Sequence, residues 1–233
     1  MLAQSKDLPD DQYLDTATID WIGRNAPTYA ASWYPDRTLL NHLSKVYDEL
    51  KSHLPLTNET FLRGAVASTS MHGQLHAYRV ALFAGILASL SGAKNLEPCI
   101  LAGLYHDIAR KNDKEDTGHG SRSAQRAVEL GIIRDDLNKT DIIEAIACHD
   151  DESGTYQNDT FVNIVKAADA LDRFRLPKTK WWPDSKKMPL APTNEIFALA
   201  YNLVLLTEKE AIRGLDTEIA LYVAMEKLME MKV

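Results

Sequence analysis

The chain is poor in cysteine: Cys99 and Cys148 are the only two in 233 residues, both lie in apolar helical patterns, and neither belongs to a Cys-x-x-Cys pair. A disulfide framework is therefore excluded as the organising device, and a reducing, cytoplasmic setting is the expectation. Long apolar runs are missing as well. The most apolar stretch, 80–90, is too short to cross a bilayer, so no membrane partner is expected. Residues 1–20 carry Asp7, Asp10, Asp11 and Asp15 and no apolar segment of the kind a signal peptide needs. Positive charge is in deficit, with a net charge of −7. That argues against general nucleic-acid binding, which requires concentrated Lys and Arg, but leaves room for a small anionic substrate held by a few local cations. No segment shows sustained strand alternation, and there is no internal repeat or low-complexity tract.

What the sequence does have is apolar spacing at helical period. Pro35-Asp36 reads as a helix start, followed by Leu39, Leu40, Leu43, Val46, Tyr47 and Leu50 on one face, with Pro55 as the stop. A short helix is expected over 58–66 and a central one over 69–90, apolar on nearly every side and stopped by Gly92. Further helices are expected over 97–108, 121–130, 141–148, 161–174, 194–206 and 215–231. The segment 112–120 reads as a charged loop, and 177–192, with four prolines and two tryptophans, as a long one. The fold class predicted is all-α: a helical bundle over 35–233, with an N-terminal arm, 1–34, irregular in pattern and packed on the core by Trp21, Tyr29, Trp33 and Tyr34.

Chemistry concentrates at one dipeptide. His106-Asp107 closes the run Leu101-Ala-Gly-Leu-Tyr-His-Asp-Ile-Ala-Arg110, placing an imidazole beside a carboxylate at the end of an apolar helix. His76 stands upstream; His119, His149 and Asp169 follow. Imidazole and carboxylate together suit a divalent metal site, and a carboxylate can bridge two ions. Metal-bound water loses its proton near neutral pH, and two ions about 3.5–4 Å apart can clamp both oxygens of a phosphoryl transfer. Taken singly, most of these residues have an ordinary explanation; Asp169 has few, because an unpaired carboxylate buried on an apolar helix is costly. His76 would pass for a core histidine, His119 between two glycines for a loop residue, and His149 for a cap. Asp172, one turn from Asp169, is expected to pair with Arg173, Arg175 or another basic group.

Four phrases in this order resemble the HD-domain superfamily of metal-dependent phosphohydrolases: His72-Gly-Gln-Leu-His-Ala-Tyr-Arg-Val80, Gly103-Leu-Tyr-His-Asp-Ile-Ala-Arg110, Asp116-Thr-Gly-His-Gly-Ser-Arg-Ser-Ala124 and Val165-Lys-Ala-Ala-Asp-Ala-Leu-Asp-Arg-Phe-Arg175. The likeness covers about residues 70–176. It implies that His76, His106, Asp107 and Asp169 hold a first ion. His119 and His149 match the extra histidines of a two-metal subset, with Asp107 bridging. One or two divalent ions are expected, among manganese, iron, magnesium, nickel and zinc. The implied reaction is hydrolysis of a phosphomonoester or phosphodiester, of a nucleotide by preference. The same six ligands also suit a diiron oxygenase, and an inactive nucleotide-binding module is a third reading.

Cations near the motifs are candidates for the phosphate: Arg79 and Arg110 first, then Lys111, Lys166, Arg173 and Arg175. Asp107 and His72, with Arg79 and Arg110, are the candidate catalytic residues, and Asp150, Asp151 or His72 is the candidate to manage a proton. The loop bearing Lys178, Lys180, Trp181, Trp182, Lys186 and Lys187 reads either as a lid or as a packed surface loop. A homo-oligomer remains open.

Overall fold

The computed structural model describes residues 15–68, 70–151 and 159–231. The arm's first 14 residues, Thr69 and Glu152 lie outside the described residues. Among the described residues the chain forms ten α-helices and no strand, so the all-α class predicted from period alone is observed. No helix among them is long and apolar enough to cross a membrane.

The architecture is arranged around α4 (Gln74–Leu90), in which every residue from Leu75 to Ala88 is buried. A helix apolar on all sides has no solvent face and must be surrounded. It is: α3 (Arg37–Leu50), α5 (Glu97–Tyr105), α8 (Thr160–Asp172), α9 (Asn194–Ile212) and α10 (Thr217–Glu230) all pack on it. The pair α6 (His119–Glu129) and α7 (Lys139–Cys148) lies alongside, with α7 joining it to α5 and α8. Asp36 caps α3 by accepting from the Leu39 amide at 2.7 Å, and Asp159 caps α8 by accepting from the Phe161 and Val162 amides.

Several boundaries differ from the sequence reading. The arm is not irregular throughout: Asp15 caps α1 (Thr16–Arg24), and α2 (Thr28–Ala31) follows. Both pack on α9. Trp21, Tyr29 and Trp33 lie against the core, whereas Tyr34 is 49% exposed. The helix expected over 58–66 is two short 3-10 turns, Asn58–Thr60 and Gly64–Ser68, separated where Gly64 takes a left-handed φ of 59°. The central helix begins at Gln74, because the chain turns through Ser70–Gly73 first; His72 therefore sits in that turn. Helix α9 continues six residues past 206, to Ile212. Its continuation buries Thr207, Glu208 and Glu210, polar residues that hide a helical face from a search for apolar spacing.

Candidate metal centre

Two helices end on a histidine in the same way. The ring of His106 follows the last residue of α5, and its Nδ1 lies 2.8 Å from the Gly103 carbonyl. The ring of His149 follows α7, and its Nδ1 lies 2.8 Å from the Ile146 carbonyl. His119 opens α6, with Nδ1 2.6 Å from the Asp116 carbonyl, again three residues back. Only His76, on α4, is oriented from far away, by Asp172 Oδ2 at 2.7 Å. Each Nδ1–H thus donates to an oxygen, so in the neutral ring each Nε2 is a lone pair pointing inward.

Those lone pairs converge in two groups. His76 Nε2 and His106 Nε2 are 3.1 Å apart, and Asp107 Oδ2 lies 3.4 and 3.6 Å from them. Asp169 Oδ1 completes this group at 3.4 Å from His76 and 3.8 Å from His106. In the second group His119 Nε2 and His149 Nε2 are 3.0 Å apart, with Asp107 Oδ1 at 3.1 and 3.5 Å. One carboxylate therefore faces both groups, one oxygen to each.

The arrangement fits divalent cations. Ligands about 2.0–2.2 Å from one ion lie roughly 3–3.5 Å from each other, close to the 3.0–3.8 Å separations here. Asp107 Oδ1 is buried with no hydrogen-bond partner, because the two nitrogens facing it are acceptors in this tautomer. Lone pairs and an ionised oxygen crowded at 3 Å repel unless a positive charge lies between them. Burial alone would raise the Asp107 carboxyl, but its polar neighbours, His106 and Arg110 foremost, hold it well below its ordinary value. Burial pushes the His106 imidazole down to about 3, so that ring is neutral, the form that ligates. Asp169 is not the buried carboxylate its apolar helix suggests: its side chain is 36% exposed and opens into the cavity above.

Residues 75–173 match the family model of the HD domain. The match spans less than half of the chain and marks this stretch as similar to the HD domain. The two histidine–carboxylate groups lie within that stretch and could hold divalent metal. Neither the curated proteins nor the solved structures compared with the chain gave a match.

Over the two histidine–carboxylate groups lies a cavity of about 510 Å³. His72 lines it, with Nδ1 donating to Asp113 Oδ1 at 3.2 Å. Burial pushes the His72 ring down to about 3, so its remaining nitrogen is an acceptor. Arg110 also lines the cavity, its Nη1 3.2 Å from His119 Nε2 and 3.7 Å from Asp107 Oδ2.

Other expected substrate contacts lie elsewhere. Arg79 is 1% exposed; its guanidinium donates to Asp172 and Thr207 and pairs with Glu208 at 2.8 Å. It is an enclosed strut, not a phosphate clamp. Removing one partner of such a buried pair costs about 3–5 kcal/mol, comparable to about 2–5 kcal/mol for truncating a core leucine. Lys111 is exposed and does not line the cavity; its backbone amide binds Asp116. Lys166 donates to the Asp151 carbonyl, also off the cavity. Arg175 does line it, but is 2% exposed and committed to the Met71 carbonyl and Asp172.

Asp172 pairs with Arg175, as expected, but also with Arg79 and His76. It is the carboxylate that fixes a ligand's tautomer. Asp113, which holds His72, carried no signal in a loop rich in charge.

Proposed function

We propose that the protein is a metal-dependent phosphohydrolase acting on a phosphomonoester or phosphodiester, of a nucleotide by preference. The observation that carries this reading is Asp107, whose two oxygens face two separate clusters of inward imidazole lone pairs. Divalent ions held there would lower the pKa of a bound water and polarise phosphoryl oxygens.

The chain's own residues divide the remaining work. Asp107 sets the distance between the two groups. Asp169 faces the cavity beside them. Arg110 brings positive charge to the rim, where phosphoryl oxygens gain charge in the transition state. His72, a poor proton store with its ring held at about 3, accepts a hydrogen bond from water or a substrate hydroxyl and so orients it. Asp150 Oδ2, 3.2 Å from His119 Nδ1, lines the same cavity and is the carboxylate best placed to take a proton.

Elemental analysis of protein purified without chelator, followed by a phosphatase and phosphodiesterase screen with added manganese, tests the reading. Phosphate or nucleoside release that a chelator abolishes supports it. Iron accompanied by oxygen uptake, with no phosphoester cleaved, replaces it with the diiron oxygenase that the same six ligands allow. Nucleotide binding without turnover leaves the inactive module.

A further inference from the structure

Two adjacent tryptophans follow α8, and the fold uses them differently. Trp182 belongs to the core: its ring meets Trp21, Phe174 and Tyr201 with centroids 6.2, 5.5 and 5.9 Å away, and its Nε1–H donates to the Leu176 carbonyl at 2.8 Å. Trp181, at the end of the 3-10 turn Thr179–Trp181, is half-buried and makes no aromatic pair among the described residues. Its ring instead carries the ammonium groups of Lys178 and Lys180, 4.6 and 5.8 Å from the centroid.

Trp181 lines the cavity over the metal ligands and also a second cavity of about 520 Å³ on its other side. Arg173 is the other residue lining both. It stands one turn beyond the ligand Asp169. Arg79, Arg110 and Arg175 have their guanidinium groups committed to protein oxygens, whereas among the described residues no hydrogen bond or ion pair engages that of Arg173. The wall between the cavities is thus an indole and an uncommitted guanidinium. Beyond it the second cavity is lined by Tyr29, Trp182 and Phe197, with Lys180 and Lys187 also on its lining.

Each cavity has the volume of a small-ligand site, roughly 300–1,000 Å³. A phosphoester anchored at the metal ligands would extend its organic half toward this wall. Indole and guanidinium both offer flat faces to a heterocycle, and the cations answer further negative charge. We infer, resting on the phosphohydrolase reading, that Trp181 and Arg173 are specificity-determining residues that receive the base of a nucleotide substrate across the wall between the two cavities.

The test compares wild type, Trp181→Ala and Arg173→Gln on the four common nucleoside monophosphates and on glycerol phosphate, with manganese. Trp181 is not packed in the core, so its truncation leaves the fold intact. Trp181→Ala should raise KM for the nucleotides about 10- to 100-fold with little change in kcat, and leave glycerol phosphate kinetics unchanged. Arg173→Gln should weaken nucleotide binding more at low salt than at high. Equal losses on glycerol phosphate and nucleotides, or an unchanged nucleotide KM, would overturn the inference.

A binding titration separates this inference from the reading beneath it. In chelated, metal-free protein, adenosine and guanosine monophosphate should quench tryptophan fluorescence saturably. The quench should vanish in Trp181→Ala and persist in Trp33→Phe. If wild type cleaves no phosphoester, the phosphohydrolase reading fails, and this titration still decides the site. A saturable quench that depends on Trp181 supports it, and its absence in wild type overturns it.

Discussion

The two halves of the candidate metal centre share one carboxylate and the same histidine–carboxylate chemistry, yet they are anchored differently. In the inner half, the His76 and His106 side chains have no exposure, and their helices α4 and α5 pack against each other and α8. His76 is held by Asp172, which is held by Arg79, which is held in turn by Glu208 and Thr207 on α9. The outer half stands on the ends of α6 and α7, and its His119 side chain is 12% exposed. Its histidines take their orientation from carbonyls three residues back in their own chain segments. One half is thus fully buried and tied through His76 to the core, although His106 also stands at a helix end, and the other stands wholly on helix ends. Ligand loss in the inner half should cost both metal and fold, whereas loss in the outer half should cost metal alone.

The largest effect expected removes the comparison altogether. Asp107→Ala deletes the ligand common to both halves, so neither ion should be retained and turnover should fall to the blank rate. Elemental analysis and a phosphate-release assay read this out; full activity in the variant would refute the site. Next comes the pair that separates the halves. His119→Ala should lower metal content to the inner ion alone, with an unchanged unfolding midpoint under chelator. His76→Ala should lose the inner ion and also strand the buried Asp172–Arg79 pair, lowering stability by about 1–3 kcal/mol. Similar stability loss in both variants would erase the distinction between the halves.

Each half also depends on a glycine that lets two helices approach. A Cβ on Gly103 would lie 2.7 Å from Ala81 Cα, so α5 reaches α4 only because none is there. A Cβ on Gly120 would lie 2.7 Å from Asp150 Oδ1 and 2.8 Å from the Ile146 and Ala147 carbonyl oxygens, where α6 meets the end of α7. Gly120→Ala should push His119 away from His149 and weaken the outer ion, by about 10- to 100-fold in affinity if it acts as other losses of ligand support do. Gly103→Ala meets backbone on a central helix and should lower the unfolding midpoint of metal-free protein more than Gly120→Ala does. Calorimetric metal titrations and thermal melts of the two variants check both.

The residues that meet at the centre were legible because ligand chemistry restricts them to a few types, and because three of them sit at helix ends that local pattern marks. The helical class was legible from period. Roles set by distant partners were not. Arg79 stands in a motif phrase beside a ligand, which made it look like a phosphate clamp, but its partners Asp172 and Thr207 are 93 and 128 positions away. The extension of α9 to Ile212 escaped detection for the same reason, since two of the polar residues it buries, Thr207 and Glu208, meet Arg79. Nothing local separates Trp181 from Trp182 either; the rings of Trp21, Phe174 and Tyr201 do. Helices α1 and α2 are short, and their mixture of aromatic and polar residues gives no clean period.

The smallest effect expected is one of slope. Burial alone would raise the Asp172 carboxyl, but Arg79, Arg175 and His76 outweigh it and hold the group well below its ordinary value of 3.8. In the unfolded chain the carboxyl takes up a proton near 3.8, while in the native inner half it stays ionised. The stability it contributes is therefore complete above that pH and lost as pH falls below it. Urea denaturation of chelated protein between pH 5 and 3 should show stability falling with acid. In Asp172→Asn the curve should be flatter by up to about 1.4 kcal/mol per pH unit, the share of one proton. Asp107 and Asp169, also held low, remain in that variant and keep part of the slope. His119→Ala leaves the Asp172 cluster untouched, so it should keep the part of the slope that Asp172→Asn loses. If His119→Ala flattened the curve as much as Asp172→Asn, the acid sensitivity would not belong to the inner anchoring, and the two halves would be alike in the respect that most separates them.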